Sequence, residues 1–180
     1  GLTMLPSHIT QALADGGLAE AHVLDVVNRT LDEDLQWGDD VTTRATIPAD
    51  AEGTADVVAR ASGTLAGVPV AAAVAHVLAA RRGETVESEI VAADGSRVEP
   101  GQRVLTVRGC VATLLTAERT LLNLVSQLSG VSTATAAWTD VLRGTNCAVR
   151  DTRKTVPGLR VLQKYAVRCG GGVNHRMGLG

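Results

Sequence analysis

Residues 147–176, "CAVRDTRKTVPGLRVLQKYAVRCGGGVNHR", constrain the fold more than any other part of the chain. "CAVR" (147–150) has the apolar character of a short buried strand. "PGLRVLQKYAVRCGG" sets Pro157 near a helix start and Gly170 just past its end, the usual asymmetry of helix punctuation. "VNHR" (173–176) is then the candidate for the next strand. Strand, loop, helix and strand over roughly thirty residues make a βαβ unit, the building block of a parallel sheet or barrel. One such unit cannot close a barrel, and two parallel strands alone would expose their apolar faces. Since the chain reaches only Gly180, it is expected to be a fragment of a longer protein, cut inside a second domain.

The preceding part has a different rhythm. Residues 19–35 place Val23, Val26, Val27 and Leu31 on one stripe, which predicts an amphipathic helix. Residues 53–66 predict two short strands with a glycine-containing turn, and 68–82 an Ala-rich helix stopped by Gly83. "ETVESEIVA" alternates like a half-buried strand, "ADGSRVEPGQ" is turn-rich, and "RVLTVRG" is a further strand. Two helices follow: "TAERTLLNLVSQLSG", with Leu121, Leu124, Val125 and Leu128 inward, and "STATAAWTDVLRG", ending at Gly144. The expected fold class is α/β, an α+β domain over 1–115 followed over 116–180 by the first part of a parallel sheet or barrel.

The βαβ segment is also where the charge lies. Residues 150–176 hold seven Lys or Arg and one acid, Asp151, whereas the rest of the chain holds ten bases and eighteen acids. In βα architectures the loops after the strand C-termini carry ligand groups. That placement aims Thr152, Arg153 and Lys154 at one rim, and His175 and Arg176 at the same rim from the next strand. Arginine gives planar, bidentate recognition of carboxylate or phosphate, and lysine a point charge. A multiply charged anion is therefore the expected ligand. Arg160, Lys164 and Arg168 fall on the helix and are expected to form a solvated basic face. Arg119 follows Thr116, a plausible N-cap, so a first-turn cation there would face the positive end of the helix dipole, a placement that can mark function.

Other features narrow the field. Phe is absent and Trp37, Trp138 and Tyr165 are the only aromatics, so base-stacking platforms are missing; with a net charge of -2, a nucleic-acid partner is not expected. No apolar run approaches the length of a membrane span. Cys110, Cys147 and Cys169 are scattered and form no CxxC pair, which argues against zinc or disulfide frameworks and for a reduced, cytoplasmic setting. "GDDVTT" (38–43) follows no apolar strand and is expected to be a turn or cap rather than a ribose-phosphate loop. "GGGVNH" follows a helix and is expected to cap it. "VEPGQRVL" has the look of a carrier-domain hairpin, but no lysine precedes Lys154 to accept a cofactor.

Taken together, "LDEDLQWGDDVTT", "TAERTLLNLVSQLSG", "RDTRKTVPGLRVLQKYAVRCGGGVNHRMGLG" and their spacing resemble the quinolinate phosphoribosyltransferase family, over nearly the whole chain from about residue 19. The resemblance implies an N-terminal sandwich followed by an incomplete α/β barrel (the type II phosphoribosyltransferase arrangement) and a homodimer. It implies quinolinate and phosphoribosyl pyrophosphate as substrates, with nicotinate mononucleotide, pyrophosphate and carbon dioxide as products of NAD biosynthesis. It assigns substrate binding to Thr152, Arg153, Lys154 and Arg176, and a hydrogen bond to substrate to His175. It gives Arg119 a place in the active site of the neighbouring subunit. Mg²⁺ is implied, with ligands beyond Gly180 and none within the chain, and no catalytic acid, base or nucleophile is assigned. The alternatives are a same-fold paralogue of the molybdenum-transport-associated type, or a non-catalytic fragment that dimerises or binds anions.

Overall fold

The computed structural model describes residues 5–36, 47–142 and 159–171. Its order is α1 (Ser7–Asp15), α2 (Glu20–Asp34), β1 (Glu52–Val58), β2 (Gly63–Thr64), α3 (Val68–Arg81), β3 (Glu87–Ile90), β4 (Arg97–Val98), β5 (Arg103–Cys110), α4 (Val111–Leu142) and α5 (Arg160–Cys169). The architecture is mixed α/β.

β5 is the centre of a three-stranded antiparallel sheet ordered β1-β5-β3, with Asp56 opposite Thr106 and Ser88 opposite Val107. Val104, Leu105 and Val107 on β5 are buried, as a strand paired on both edges and covered by helices requires. β2 and β4 form a separate two-stranded sheet. The stretch 53–66 thus holds the two expected strands, but in different sheets. β4 lies inside the stretch expected to be only turns.

α3 is apolar all round, and buries Val68 through Ala75 together with Val77, Leu78 and Ala79. A helix with no polar face has to sit in the middle of a core. α2 supplies the predicted stripe, Val23, Val26, Val27 and Leu31, all buried. α1 adds Ile9 and Leu13, which the sequence reading passed over.

Where two helices were expected after residue 115, α4 runs unbroken from Val111 to Leu142. An interior glycine costs about 1 kcal/mol relative to alanine, too little to stop a helix whose inner face is well anchored. Gly130 sits in open space. The Ser/Thr residues around it are docked on β2 and the residues just after that strand. Ser132 Oγ donates to the Thr64 carbonyl, Thr133 Oγ1 accepts from the Thr64 N–H at 3.0 Å, and Ser129 Oγ accepts from the Ala66 N–H at 3.1 Å. Residues 115 and 116, where a domain division was expected, are both interior to α4. The expected strands at 147–150 and 173–176 and the turn at 38–43 lie outside the described residues.

Candidate functional site

Of the residues expected to bind the anion, Arg119 is described; Thr152, Arg153, Lys154, His175 and Arg176 lie outside the described residues. The site is therefore built here from its frame: α4, which carries Arg119, and α5, which connects the two basic segments in sequence.

Arg119 is exposed, in the third turn of α4. The expectation of a first-turn position is corrected: Thr116 is not an N-cap, because it lies inside the helix and its Oγ1 donates to the Ala112 carbonyl at 2.9 Å. The dipole penalty falls away with it, since that effect is confined to the first turn. A different property of Arg119 remains. Among the described residues it has no ion-pair or side-chain hydrogen-bond partner, and Leu115, one turn earlier, is also exposed. The opposite face of this part of α4 is fixed. Arg82 donates to Thr113 Oγ1 at 3.1 Å, Thr113 Oγ1 donates to Glu84 at 2.6 Å, and Thr120 Oγ1 donates to Asp34 Oδ2 at 2.5 Å. Arg119 is thus an available guanidinium on a rigid support, the combination that makes a precise anion contact.

On that fixed side of α4, a cleft of about 380 Å³ opens between α2 and α4, lined by Asp34, Thr120, Asn123 and Leu159 among others. Leu159 is the N-cap residue of α5. The cleft therefore joins the Thr120 face of α4 to the start of α5. A smaller cavity of about 270 Å³ adjoins it through Leu124, Gln127 and Leu159, and there Gln163 Oε1 is buried with no hydrogen-bond partner.

α5 is held at its far end. Tyr165 is buried and its hydroxyl donates to Asp94 Oδ2 at 2.5 Å. The same carboxylate accepts the backbone N–H of Gly67 (2.8 Å) and of Val68 (3.0 Å), and so caps α3 from a loop 26 residues away. Burial first, and then the Asp94 charge, drive the Tyr165 pKa far above the usual phenol value. Burial also pushes the Cys169 thiol up to about 11, so it is held protonated and unreactive. Gly170 ends the helix against α4, where a Cβ would lie 2.3 Å from the Ser132 carbonyl oxygen. Gly171 follows at φ 87°, the left-handed residue expected of a helix-capping glycine run.

The expected solvated basic face of α5 is corrected at one position. Arg160 is exposed and Lys164 half-buried, but Arg168 lies 5.6 Å over the Tyr165 ring and donates to the Gly16 carbonyl at 3.1 Å. Sequence reasoning missed Asp94 and Tyr165, whose signal is a partnership across 71 residues. No group of three or more carboxylates, imidazoles or thiols able to hold a metal gathers among the described residues. No described helix is long and apolar enough to cross a membrane.

Comparison with known proteins matches the family model "Quinolinate phosphoribosyl transferase, N-terminal domain" to residues 40–129, and the corresponding C-terminal domain model to 131–180. A nicotinate-nucleotide pyrophosphorylase (carboxylating) of Mycobacterium leprae is 53% identical over 87% of the chain and 54% of its own length. A quinolinate phosphoribosyltransferase (decarboxylating) of Nicotiana tabacum is 38% identical over 86% of the chain and 42% of its own length. Among solved structures, NadC from Streptococcus pyogenes superposes with a TM-score of 0.80 at 36% identity, covering 90% of this chain and 57% of that one. The nicotinate-nucleotide pyrophosphorylase from Francisella tularensis does so with 0.74 at 33% identity, covering 98% and 57%. The chain spans about half the length of the curated relatives it matches.

Proposed function

The chain belongs to the quinolinate phosphoribosyltransferase family, and from that membership we propose that it forms part of an enzyme that transfers a phosphoribosyl group from phosphoribosyl pyrophosphate to quinolinate. The reaction releases pyrophosphate and carbon dioxide and yields nicotinate mononucleotide for NAD biosynthesis. The observation that carries this reading is the family match over 40–180, which includes the basic segment 150–176.

The chemistry needs little covalent help. The pyridine nitrogen of quinolinate attacks the anomeric carbon of the ribose as pyrophosphate leaves with the bonding electron pair. The ring nitrogen is now cationic. The carboxylate on the neighbouring carbon leaves as carbon dioxide, and the electron pair stays on that carbon, stabilised by the adjacent positive nitrogen until a proton from solvent replaces the lost group. Positioning and fixed positive charge dominate in such a site. Arg153, Lys154 and Arg176 hold the dianion and the phosphates, with Thr152 beside them, and His175 donates or accepts a hydrogen bond at the substrate. Arg119, exposed and without a partner among the described residues, serves the active site of a second copy. The proposed assembly is a homodimer, the proposed ion Mg²⁺, and the proposed compartment the cytoplasm.

The test is calorimetry with quinolinate on a protein of the relatives' full length. Arg153→Ala is expected to weaken binding by about 2–5 kcal/mol, the cost of leaving a charged partner unpaired, and Arg160→Ala to change it little. Equal losses in the two variants would remove the site assignment.

A further inference from the structure

Away from this site, three donor atoms from three elements meet at one point. Ser88 Oγ on β3 lies 3.1 Å from His8 Nε2 on α1 and 2.8 Å from His76 Nε2 on α3. A hydroxyl has one proton, so Ser88 donates to one imidazole and accepts the Nε2–H of the other. Both rings thus aim their outer nitrogens, the ones most accessible to a metal, at the same small volume. We propose that His8 and His76 form a binding site for a divalent transition-metal ion of the zinc class, with water completing the coordination.

The geometry requires little movement. Zinc–imidazole bonds are about 2.0–2.1 Å, so each nitrogen has to close by roughly 1 Å on an ion placed near the Ser88 oxygen. His8 is exposed on the first turn of α1 and has room to swing, whereas His76 is half-buried on α3 and supplies the fixed ligand. The ring that accepts from Ser88 already presents its Nε2 lone pair, and the other reaches the ligating state by moving its proton to Nδ1, without net loss of a proton. Imidazole nitrogens select zinc, copper or nickel, whereas magnesium and calcium require oxygen ligands. No third imidazole, carboxylate or thiol joins the pair among the described residues. The site is therefore an exchangeable one that clips α1 onto the core, unlike a closed structural site with four protein ligands.

The test titrates zinc chloride into the tag-free chain by calorimetry and follows thermal unfolding with and without the ion. Wild type is expected to bind one zinc ion saturably and to unfold at a higher temperature when loaded. His8→Ala and His76→Gln are each expected to weaken binding at least tenfold and to abolish the thermal shift. Ser88→Ala is expected to stay within threefold of wild type, because the hydroxyl competes with the ion instead of holding it. His22→Ala, on α2, is the control and is expected to stay within twofold. Since His8 is exposed, its variant keeps the fold, which circular dichroism verifies, and the result stands even if His76→Gln unfolds. Absence of saturable wild-type binding overturns the proposal. So does a His8→Ala variant that binds zinc as tightly as wild type, which would place the ion on other ligands.

Discussion

Replacing Asp94 with alanine tests how the N-terminal layer is joined to α5. The carboxylate makes three bonds: to the N–H of Gly67 at 2.8 Å, to the N–H of Val68 at 3.0 Å, and from the Tyr165 hydroxyl at 2.5 Å. The first two are the cap of α3, whose own N-cap residue, Gly67, has no side chain to provide one. Losing a cap costs about 0.5–2 kcal/mol. The third loss strands the hydroxyl of a buried tyrosine, costing about 1–3 kcal/mol. Asp94→Ala should therefore destabilise by about 2–4 kcal/mol, with Tm falling by roughly 2–4 °C per kcal/mol in a chain of this size. Tyr165→Phe removes the hydroxyl and leaves the cap, at about 0.5–1.5 kcal/mol. In the Tyr165→Phe background, Asp94→Ala should cost only the cap. Urea unfolding of both single variants and the double variant closes the cycle, and the expected coupling is about 1–2 kcal/mol. A cost for Asp94→Ala that is the same in both backgrounds would refute the idea that one carboxylate ties α3 to α5.

Tyr165 is the only tyrosine in the chain, so phenolate absorbance reports on it alone; no phenolate should form as pH rises past 10 until the protein unfolds. Because its folded pKa is raised, the unfolded chain loses this proton first, and the contribution to stability is full below pH 10 and declines above it. Gly170→Ala has acceptable backbone angles (φ -79°) but sets a Cβ 2.3 Å from the Ser132 carbonyl oxygen, so thermal unfolding should show a loss of about 1–3 kcal/mol from overpacking. If Arg119 serves the other subunit, inactive full-length Arg119→Ala and Arg153→Ala proteins should recover activity on subunit exchange, approaching about a quarter of wild type for random two-fold pairing; no recovery in verified mixed dimers would confine Arg119 to its own subunit.

The elements legible in the sequence are those whose signal is local. The stripe Val23, Val26, Val27 and Leu31 sits within one helix, and its burial follows from period alone. Gly170 ends α5 where helix punctuation put it. The continuity of α4 was not legible, because Ser129, Ser132 and Thr133 have the composition of a loop until they are seen bonded to the backbone of Thr64 and Ala66. The contact of Asp94 with Tyr165 was not legible for a related reason: nothing near either residue announces a partner 71 positions away. Arg119 is an intermediate case. It was singled out for an unfavourable place at a helix start, and that place was wrong. Its exposure and lack of a partner among the described residues give the better reason.

The unbroken α4 changes how the candidate site is assembled. At about 1.5 Å per residue its 32 residues form a rod of roughly 48 Å. The junction between the two family-model matches, at residue 130, falls inside this rod, at a glycine where an added Cβ would meet nothing within 4 Å. A hinge there would have to break helical hydrogen bonds, while Ser132 and Thr133 on one side bond to Thr64 of β2 and Ser129 on the other bonds to Ala66, two residues further along the same segment. Nothing at the junction therefore lets the two halves swing independently. Gly170 fixes the end of α5 against the same helix, and Leu159 sits with Leu124 and Val131 of α4 around one cavity at its start. Arg119 and both ends of α5 are referenced to one rigid element. Substitutions that loosen the contact of α4 with β2, such as Ser132→Val, should consequently disturb stability and anion affinity together, whereas a jointed pair of domains would let the second survive the loss of the first.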